Sequence, residues 1–555
     1  MSVPTAELTT PAAPARWAAP SLRTTDLLDG GRFYVALGGV ALVIAALSLL
    51  IPSTPSYDPW AWLVWGHEVI HLDLQTTGGP SWKPLPMLFT TVFALFGKAQ
   101  PDLWLVIARA GAVMTVVMAF RLAWRLTQAF AVVPAAVTGA ARLWVAVPPL
   151  LAGVIAAGSL INSSGFVSDN ALGYSEGLAT ALVLIAFERH LLGARRQAFA
   201  VGFFAALDRP ELWFFWGPYG LYLFWRDPGA RRLVVALFAL IPVLWFLPEL
   251  WGSGHLLRGV NRAQHPRSNS AAFTSCPVCT VFRKEAWIAV LNRVKVPAII
   301  AVAVAVAGLW RTRDTWRHGS LSAPVKARIA LIVIGVFGFV WWLGIAVETQ
   351  AGFSGNNRYL VLGTAPVAIA GGVAWGWFIE AVAGLLSRLA LSERARSARR
   401  LAAQRFALPA ATFVGVALFL AVPPWIGHNV VSIPRVHRAL VYQARLRTGM
   451  TAAIRKAGGR SALLGCGSIM TEGFQVPMAA WNLGVPTARI TATPLGLVGA
   501  PWPNVLLQNR AQSNSTLLPL PEQIAAWERA GAHYRLIVHN RTFRVFTTCS
   551  AKGVG

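Results

Sequence analysis

Apolar runs of about 20 residues recur along this 555-residue chain and restrict its fold more than any other feature. A helix needs about 20 apolar residues to cross the hydrocarbon of a bilayer. Such runs cover 33–52, 103–120, 143–158, 174–188, 230–250, 287–310, 329–347, 359–386 and 407–425. A further stretch, 197–225, is interrupted at Asp208, Arg209 and Pro210, and we interpret it as two short helices because proline ends a helix. The sequence predicts an α-helical polytopic membrane protein with about eleven transmembrane helices.

The composition agrees with a membrane protein. Hydrophobic residues make up 55% of the chain and charged residues only 13%, which excludes an ordinary soluble enzyme and a disordered chain. The first apolar run is preceded by 32 mostly polar residues and is not followed by a small-residue cleavage site, so we do not interpret it as a cleavable signal peptide.

The net charge of +27 is distributed unevenly, and its distribution predicts the topology. Short loops rich in Lys and Arg stay in the cytoplasm. If the apolar segment 84–97 lies at the membrane surface, most basic clusters fall on one side of the membrane. This predicts a multi-pass plasma (cell) membrane protein with a cytoplasmic N-terminus and an extracytoplasmic C-terminal domain. The basic charge is then a topology signal, and no nucleic-acid partner is expected.

The predicted organisation has three parts. Residues 1–32 form a cytoplasmic tail, and 33–425 form a transmembrane domain with outside loops 53–101 and 251–290. Residues 426–555 form a small α/β domain, because helix-like stretches (GMTAAIRKAGG, PEQIAAWERAG) alternate with strand-like ones (SALLGCG, ARITAT, YRLIVHN, FRVFTT). This last part holds 14 Lys and Arg against three Glu, a formal charge of +11.

The first outside loop carries an early aspartate, Asp58, among aromatic residues. The aromatic residues form either an interfacial belt or part of a site. Asp58 is followed by Pro59, so its carboxylate either caps the helix that follows or does chemistry at the membrane surface. The aromatic residues are Tyr57, Trp60, Trp62, Trp65 and Trp82.

The order of these features resembles the GT-C superfamily of integral membrane glycosyltransferases. One membrane helix is followed by an outside loop with an early aspartate, then Lys83, Pro84, Leu85, Pro86 and an apolar stretch ending Phe-Gly. Protein O-mannosyltransferases and lipid A aminoarabinose transferases have a related Lys-Pro-Pro-Leu motif. The layout is also similar to actinobacterial arabinosyltransferases and mannosyltransferases, and Arg209-Pro210-Glu211 resembles an Arg-Pro-Glu found in the middle of such chains.

The resemblance implies a donor sugar linked through phosphate to a polyprenol, transfer on the outer face, and inversion at the anomeric carbon. That chemistry needs a carboxylate to take the proton of the acceptor hydroxyl, and Asp58 is the candidate. The leaving lipid phosphate needs cations, and Lys83, Arg209 and Arg358 are the candidates. For Lys83 the alternative is a side chain that extends to the interface, and for Arg209 a structural pair with Asp208 and Glu211.

Three further carboxylates are candidate residues next to the acceptor or a metal: Glu176, Asp169 and Glu68. Carboxylate oxygens are ligands for hard divalent cations. Glu176 would equally stabilise the start of its own helix, because a negative charge is favoured there. No ligand spacing distinguishes these alternatives, so a divalent cation cofactor is left open.

The four cysteines fit two disulfides outside the cytosol, Cys276 with Cys279 and Cys466 with Cys549, although connectivity does not follow from sequence alone. The basic residues of 251–295 fit an anionic lipid phosphate and nonspecific headgroup contact equally.

The leading hypothesis is a glycosyltransferase that moves a sugar from a polyprenyl-phosphate donor to an envelope glycan or lipid acceptor in the bilayer. The alternatives are a lipid or glycan transporter or flippase, and a noncatalytic envelope-assembly subunit. A transporter would place charged residues at several mid-membrane positions and break helices in matched halves, whereas this chain concentrates its polar residues in outside loops.

Overall fold

A computed structural model describes residues 30–130, 141–267, 270–313, 321–392, 397–422, 431–494 and 502–549. Most of the predicted N-terminal tail, and parts of the basic loops 311–328 and 388–406, therefore lie outside the described residues.

The regular secondary structure described before residue 422 is helical. The helices are α1 (Gly31–Leu47), α2 (Tyr57–Ile70), α3 (Pro84–Phe93), α4 (Gln100–Gln128), α5 (Ala141–Val145), α6 (Val147–Ile161), α7 (Ser164–Ala171), α8 (Glu176–Leu191), α9 (Arg195–Ala206), α10 (Trp213–Arg226), α11 (Arg231–Ser253), α12 (Arg258–Ala263), α13 (Asn292–Arg311), α14 (Ala323–Gln350), α15 (Val361–Ser392) and α16 (Ser397–Ala421), with a π-helix at Thr280–Ala286 between α12 and α13.

Within the described residues, seven helical segments are long and apolar enough to cross a membrane, or eight if the bent pair α7 and α8 is one span. The predicted apolar runs beyond these correspond to shorter helices. The stretch 197–225 is indeed two short helices, α9 and α10, separated by a 3-10 turn at Pro210–Leu212. The chain is a multi-pass membrane protein.

The membrane helices pack through small residues, as is common in bilayers. A Cβ at Gly372 of α15 would lie 2.2 Å from the carbonyl oxygen of Ala152 on α6. A Cβ at Gly363 would lie 2.7 Å from the carbonyl oxygen of Gly338 on α14. These contacts place α15 against its neighbours and fix the loop before it, which carries Arg358.

The C-terminal domain is an α/β sheet. Its helices are α17 (Ile433–Lys456), α18 (Gly459–Cys466), α19 (Val476–Leu483) and α20 (Pro521–Arg529), and its strands are β1 (Ile469–Thr471), β2 (Ile490–Ala492), β3 (Val505–Arg510), β4 (Leu517–Leu518), β5 (Arg535–His539) and β6 (Arg544–Thr547). The strand order is β2-β1-β3-β6-β5, with β4 pairing β3. The neighbours β2, β1 and β3 are parallel, whereas β6 is antiparallel to both β3 and β5.

One predicted strand is wrong. The segment SALLGCG lies in helix α18, whose only buried side chain is Leu463. It consists largely of good helix formers between glycines, and it lacks the alternating burial of a strand. Strand β1 and the buried central strand β3 were not predicted. A short strand buried on both faces shows no alternation of apolar and polar residues.

The aromatic residues of the loop 53–101 do not form an interfacial belt. Trp60, Trp62, Trp65 and Trp82 are all at most 4% exposed and belong to one core shared with the C-terminal domain. The rings of Trp60 and Trp481 lie 5.1 Å apart, and the Trp481 indole donates to the Gln100 side chain at 3.2 Å. The C-terminal domain is therefore packed directly on the helix that carries Asp58.

Both expected cysteine pairs are disulfides in the structure. Cys276 and Cys279 close a short turn in the loop before α13, and Cys466 joins the end of α18 to Cys549 after β6.

Candidate active site

Five sequence-predicted residues converge at the starts of helices. Asp58 lies in the first turn of α2, Lys83 directly precedes α3, and Glu176 is the first residue of α8. Arg209 precedes the 3-10 turn at Pro210–Leu212, and Arg358 lies in the 3-10 turn Asn357–Leu360 before α15. Helix N-termini carry partial positive charge and free N–H groups, so this end of the helical domain favours an anion.

Glu176 is the centre of this cluster. Its Oε1 atom lies 3.5 Å from Lys83 Nζ, 3.7 Å from Arg209 Nη1 and 3.8 Å from Arg358 Nε. The glutamate is 1% exposed. Three cations from separate segments of the chain thus surround a single carboxylate oxygen, at distances longer than direct charge-assisted hydrogen bonds.

Asp58 is joined to the same cluster. Its Oδ2 atom accepts from Arg358 Nη2 at 2.6 Å. The side chain makes no helix cap, so the capping interpretation is wrong. The Arg358 guanidinium carbon lies 3.9 Å from the ring centroid of Tyr174, whose hydroxyl is 2.9 Å from Ser56 Oγ.

The Asp208 to Glu211 turn supplies further contacts. Asp208 Oδ1 lies 3.8 Å from Lys83 Nζ, and Arg209 Nη2 lies 3.2 Å from Glu211 Oε1. The Arg209 guanidinium carbon stands 4.0 Å from the Tyr359 ring centroid. Arg209 therefore forms a local ion pair with Glu211 and also faces Glu176, so the local pair and the shared cluster coexist.

Three buried donor atoms in the cluster have no hydrogen-bond acceptor among the described residues: Arg209 Nε, Arg209 Nη2 and Arg358 Nη1. Carboxylate oxygens of Glu176, Asp208 and Glu211 in the same cluster likewise have no hydrogen-bond donor among them. A buried donor without a partner costs free energy, more so when it is charged. These donors are available to a ligand that supplies anionic oxygens.

The turn before Lys83 is held by basic residues of the loop 251–290. Gly79, at φ +93°, accepts hydrogen bonds through its carbonyl oxygen from Arg258 Nη2 at 3.2 Å and Arg262 Nε at 3.1 Å. Glu249 Oε1 accepts from the Trp82 backbone N–H at 3.3 Å and lies 3.6 Å from Arg258 Nη1. These two arginines therefore stabilise the turn that positions Lys83.

Two predicted residues stand apart from the centre of the cluster. Glu68 is ten residues beyond Asp58 on α2, about 15 Å along the helix, and its Oε2 atom accepts from the Gln75 backbone N–H at 2.9 Å. Burial raises the pKa of Glu68 to about 7. Asp169 on α7 interacts electrostatically with Arg358 and Glu176, so it lies at the edge of the cluster.

Sequence reasoning did not predict the aromatic rings that stack on the arginines or the contact between Asp208 and Lys83. Tyr174 and Tyr359 stack on the two arginines, and Asp208 faces Lys83. Both tyrosines lie within two residues of a predicted charged residue, so a search of the immediate neighbours of Glu176 and Arg358 finds them.

In the described ranges, no group of three or more His, Cys, Asp and Glu side chains is arranged to hold a metal ion.

Comparisons with known proteins add little at the sequence level. No protein-family model matches the chain, and no curated protein matches it. Among solved structures, the chain is similar to ArnT from Cupriavidus metallidurans in the apo state, with 13% identity over 94% of this chain and 99% of that chain and a TM-score of 0.47. The function proposed below therefore depends on the geometry of the polar cluster.

Proposed function

We propose that this protein is a membrane glycosyltransferase of the GT-C type, transferring a sugar from a polyprenyl-phosphate donor to an envelope glycan or lipid acceptor. The observation that carries the proposal is the convergence of Lys83, Arg209 and Arg358 on one oxygen of Glu176, with Asp58 attached through Arg358. A buried set of three cations beside an aspartate suits a phosphate leaving group next to a general base.

The donor phosphate binds among the three cations. Its oxygens accept from Arg209 Nε and Arg358 Nη1, two of the buried donors that lack a hydrogen-bond acceptor in the described structure. Phosphate competes with Asp58 for Arg358, and drawing the guanidinium away frees the Asp58 carboxylate to accept a proton. Donor binding thereby prepares the base.

The polyprenyl chain occupies an apolar cavity between α8, α9, α10 and α14. The cavity has a volume of about 840 Å³ and is lined mainly by aliphatic and aromatic side chains, including Phe187, Phe215 and Val333. Ala205 and Leu212, which flank the 208–211 turn, line it as well. The cavity reaches Leu212, three residues along the chain from Arg209, and extends to Glu188 towards the other end of α8. An apolar cavity of this extent fits the hydrocarbon tail of a lipid-linked donor.

The reaction is a single displacement. The acceptor oxygen bonds to the anomeric carbon while the bond from that carbon to the phosphate oxygen breaks, and the electron pair leaves with the lipid phosphate. Asp58 takes the proton of the acceptor hydroxyl, and the three cations stabilise the charge that develops on the phosphate. Attack from the face opposite the leaving group inverts the anomeric configuration.

Transfer takes place on the membrane face that bears the C-terminal domain. We propose that this face is extracytoplasmic and the N-terminus cytoplasmic, because the cluster lies in segments expected outside from the distribution of Lys and Arg. The basic C-terminal domain, packed on α2, binds the acceptor.

Replacing Asp58 by Asn tests the proposal. Loss of the base should lower sugar transfer from a polyprenyl-phosphate sugar by about 10²–10⁴-fold while protein abundance and melting temperature are kept. The matched control is Asp102→Asn, which removes a carboxylate that pairs with Arg447 at 2.8 Å outside the cluster and should leave transfer unchanged. Undiminished transfer by Asp58→Asn contradicts the assignment of the base.

A further inference from the structure

A mixed aromatic and charged surface begins one residue from Asp58 and continues onto the C-terminal domain. We call Tyr57, Arg267, Glu472 and Phe474 the Phe474 surface. The rings of Tyr57 and Phe474 meet edge to face, with centroids 6.3 Å apart and planes at 87°. The surface therefore adjoins the start of α2, the helix that carries the candidate base.

The surface lies where α/β sheets bind ligands. Glu472 and Phe474 directly follow β1, at the carboxyl end of a strand that is parallel to both of its neighbours. Ligands of open α/β sheets bind outside the carboxyl ends of the parallel strands. In this molecule that edge faces the second outside loop of the membrane domain, which supplies Arg267.

Phe474 is presented on a fixed turn. Its backbone N–H donates to Glu472 Oε2 at 2.8 Å, and the Gln475 N–H donates to the Glu472 carbonyl oxygen at 2.9 Å. Glu472 is 3% exposed, whereas Phe474 is 44% exposed. A large aromatic ring left open above a buried, hydrogen-bonded carboxylate is a preformed contact surface.

Arg267 completes the surface. Its guanidinium carbon lies 4.3 Å from the Phe474 ring centroid, and its Nη1 atom lies 3.8 Å from Glu472 Oε1. A Cβ at Gly473 would come within 2.0 Å of the guanidinium, so glycine permits this close approach. The guanidinium has five N–H donors, and its side chain is 34% exposed, which leaves donors available to a ligand.

We infer that the Phe474 surface is the acceptor subsite and that it binds a saccharide ring. The carbon face of the ring packs on Phe474, and ring hydroxyls accept from Arg267. A hydrocarbon chain gains nothing from Arg267 and Glu472, whereas a sugar ring has both an apolar face and hydroxyl groups. This inference rests on the proposed transferase function, because the subsite places the acceptor hydroxyl beside Asp58.

The test separates acceptor use from donor use in the full-length protein. Polyprenyl-phosphate sugar is supplied with a mixture of oligosaccharides released from cell envelope, and both transfer and donor hydrolysis by water are measured. Phe474→Ala and Arg267→Ala should each raise the acceptor KM roughly tenfold, the size of one aromatic contact, and leave donor hydrolysis unchanged. Phe474→Trp keeps a ring at this position and should restore the wild-type KM.

Two variants of the same outside loop serve as controls. Phe273→Ala removes an exposed ring and Arg283→Ala removes an exposed cation, and neither should change the acceptor KM. An unchanged acceptor KM for Phe474→Ala overturns the subsite and leaves the proposed function standing. Absence of both transfer and donor hydrolysis in the wild-type protein overturns the function and the subsite together.

Discussion

Helix α8 carries two buried glutamates that differ in how they are paired. Glu176 begins the helix, and Glu188 lies 12 residues further, about 18 Å along the axis. Glu188 Oε1 accepts from Arg121 Nε at 2.6 Å and lies 2.9 Å from Arg125 Nε, and Glu188 Oε2 accepts from the Tyr34 hydroxyl at 2.7 Å. The cations around Glu176 stand at 3.5 to 3.8 Å.

The difference separates a structural cluster from a binding cluster. Direct bonds at 2.6 to 2.9 Å to both oxygens of Glu188 tie α1, α4 and α8 together. The longer distances at Glu176, with three arginine nitrogen donors lacking hydrogen-bond acceptors in the described structure, leave capacity for a ligand. Similar residue types thus serve stability at one end of the helix and, as we propose, phosphate binding at the other.

The largest expected effect on stability is at Glu188. Glu188→Ala leaves Arg121 and Arg125 without their shared carboxylate, and removing one partner of a buried pair costs about 3–5 kcal/mol. Thermal unfolding in detergent should show a much lower melting temperature, whereas transfer per folded molecule should persist. Glu176→Ala is the matched variant, and an equal or larger loss of stability there would contradict the distinction between the clusters.

Lys83 should show the opposite behaviour. Lys83→Met keeps the length and apolar stem of the side chain but removes one phosphate-binding cation, so transfer should fall about 10²–10³-fold, the cost of losing one electrostatic donor. The melting temperature should change little. Single-turnover transfer at saturating donor checks the expectation, and a variant that transfers normally would remove Lys83 from the site.

A third buried glutamate, Glu68, extends the comparison, because its titration makes the stability of the protein depend on pH. Burial raises its pKa to about 7, with no cation opposing the shift. The folded state therefore binds a proton that the unfolded state releases above about pH 4. Stability from this group is fully present below that pH, and it is lost as the pH rises through about 7.

Melting temperatures of the wild type and Glu68→Gln between pH 5 and 8 test this expectation. The Gln variant cannot titrate and keeps an acceptor for the Gln75 N–H, so the stability difference should move in favour of the variant by up to a few kcal/mol as the pH rises. A difference that stays constant across this range would contradict a buried, protonated Glu68.

Much of the membrane architecture was predictable because apolar length is a local property. The interruption at Asp208, Arg209 and Pro210 gave the α9 and α10 pair directly. The strands β1 and β3 were missed because they are short and buried, and α18 was mistaken for a strand because its glycines and leucines suit either element.

Candidate site residues were recognisable one at a time, but their partners were not. Charge and position singled out Asp58, Lys83, Glu176, Arg209 and Arg358. The ion pair between Asp58 and Arg358 joins residues 300 positions apart, and the buried state of Trp60 depends on a domain that begins hundreds of residues later. Separations of this size leave no periodic signal in a single sequence.

The sequence by itself determined that this chain is a multi-pass helical protein, because each membrane helix must satisfy its own backbone hydrogen bonds and expose apolar side chains to lipid. Only the tertiary structure decided which charged residues share one buried site. Helix starts distant along the chain meet there, and the burial of their charges is tolerated because the opposite charges face each other.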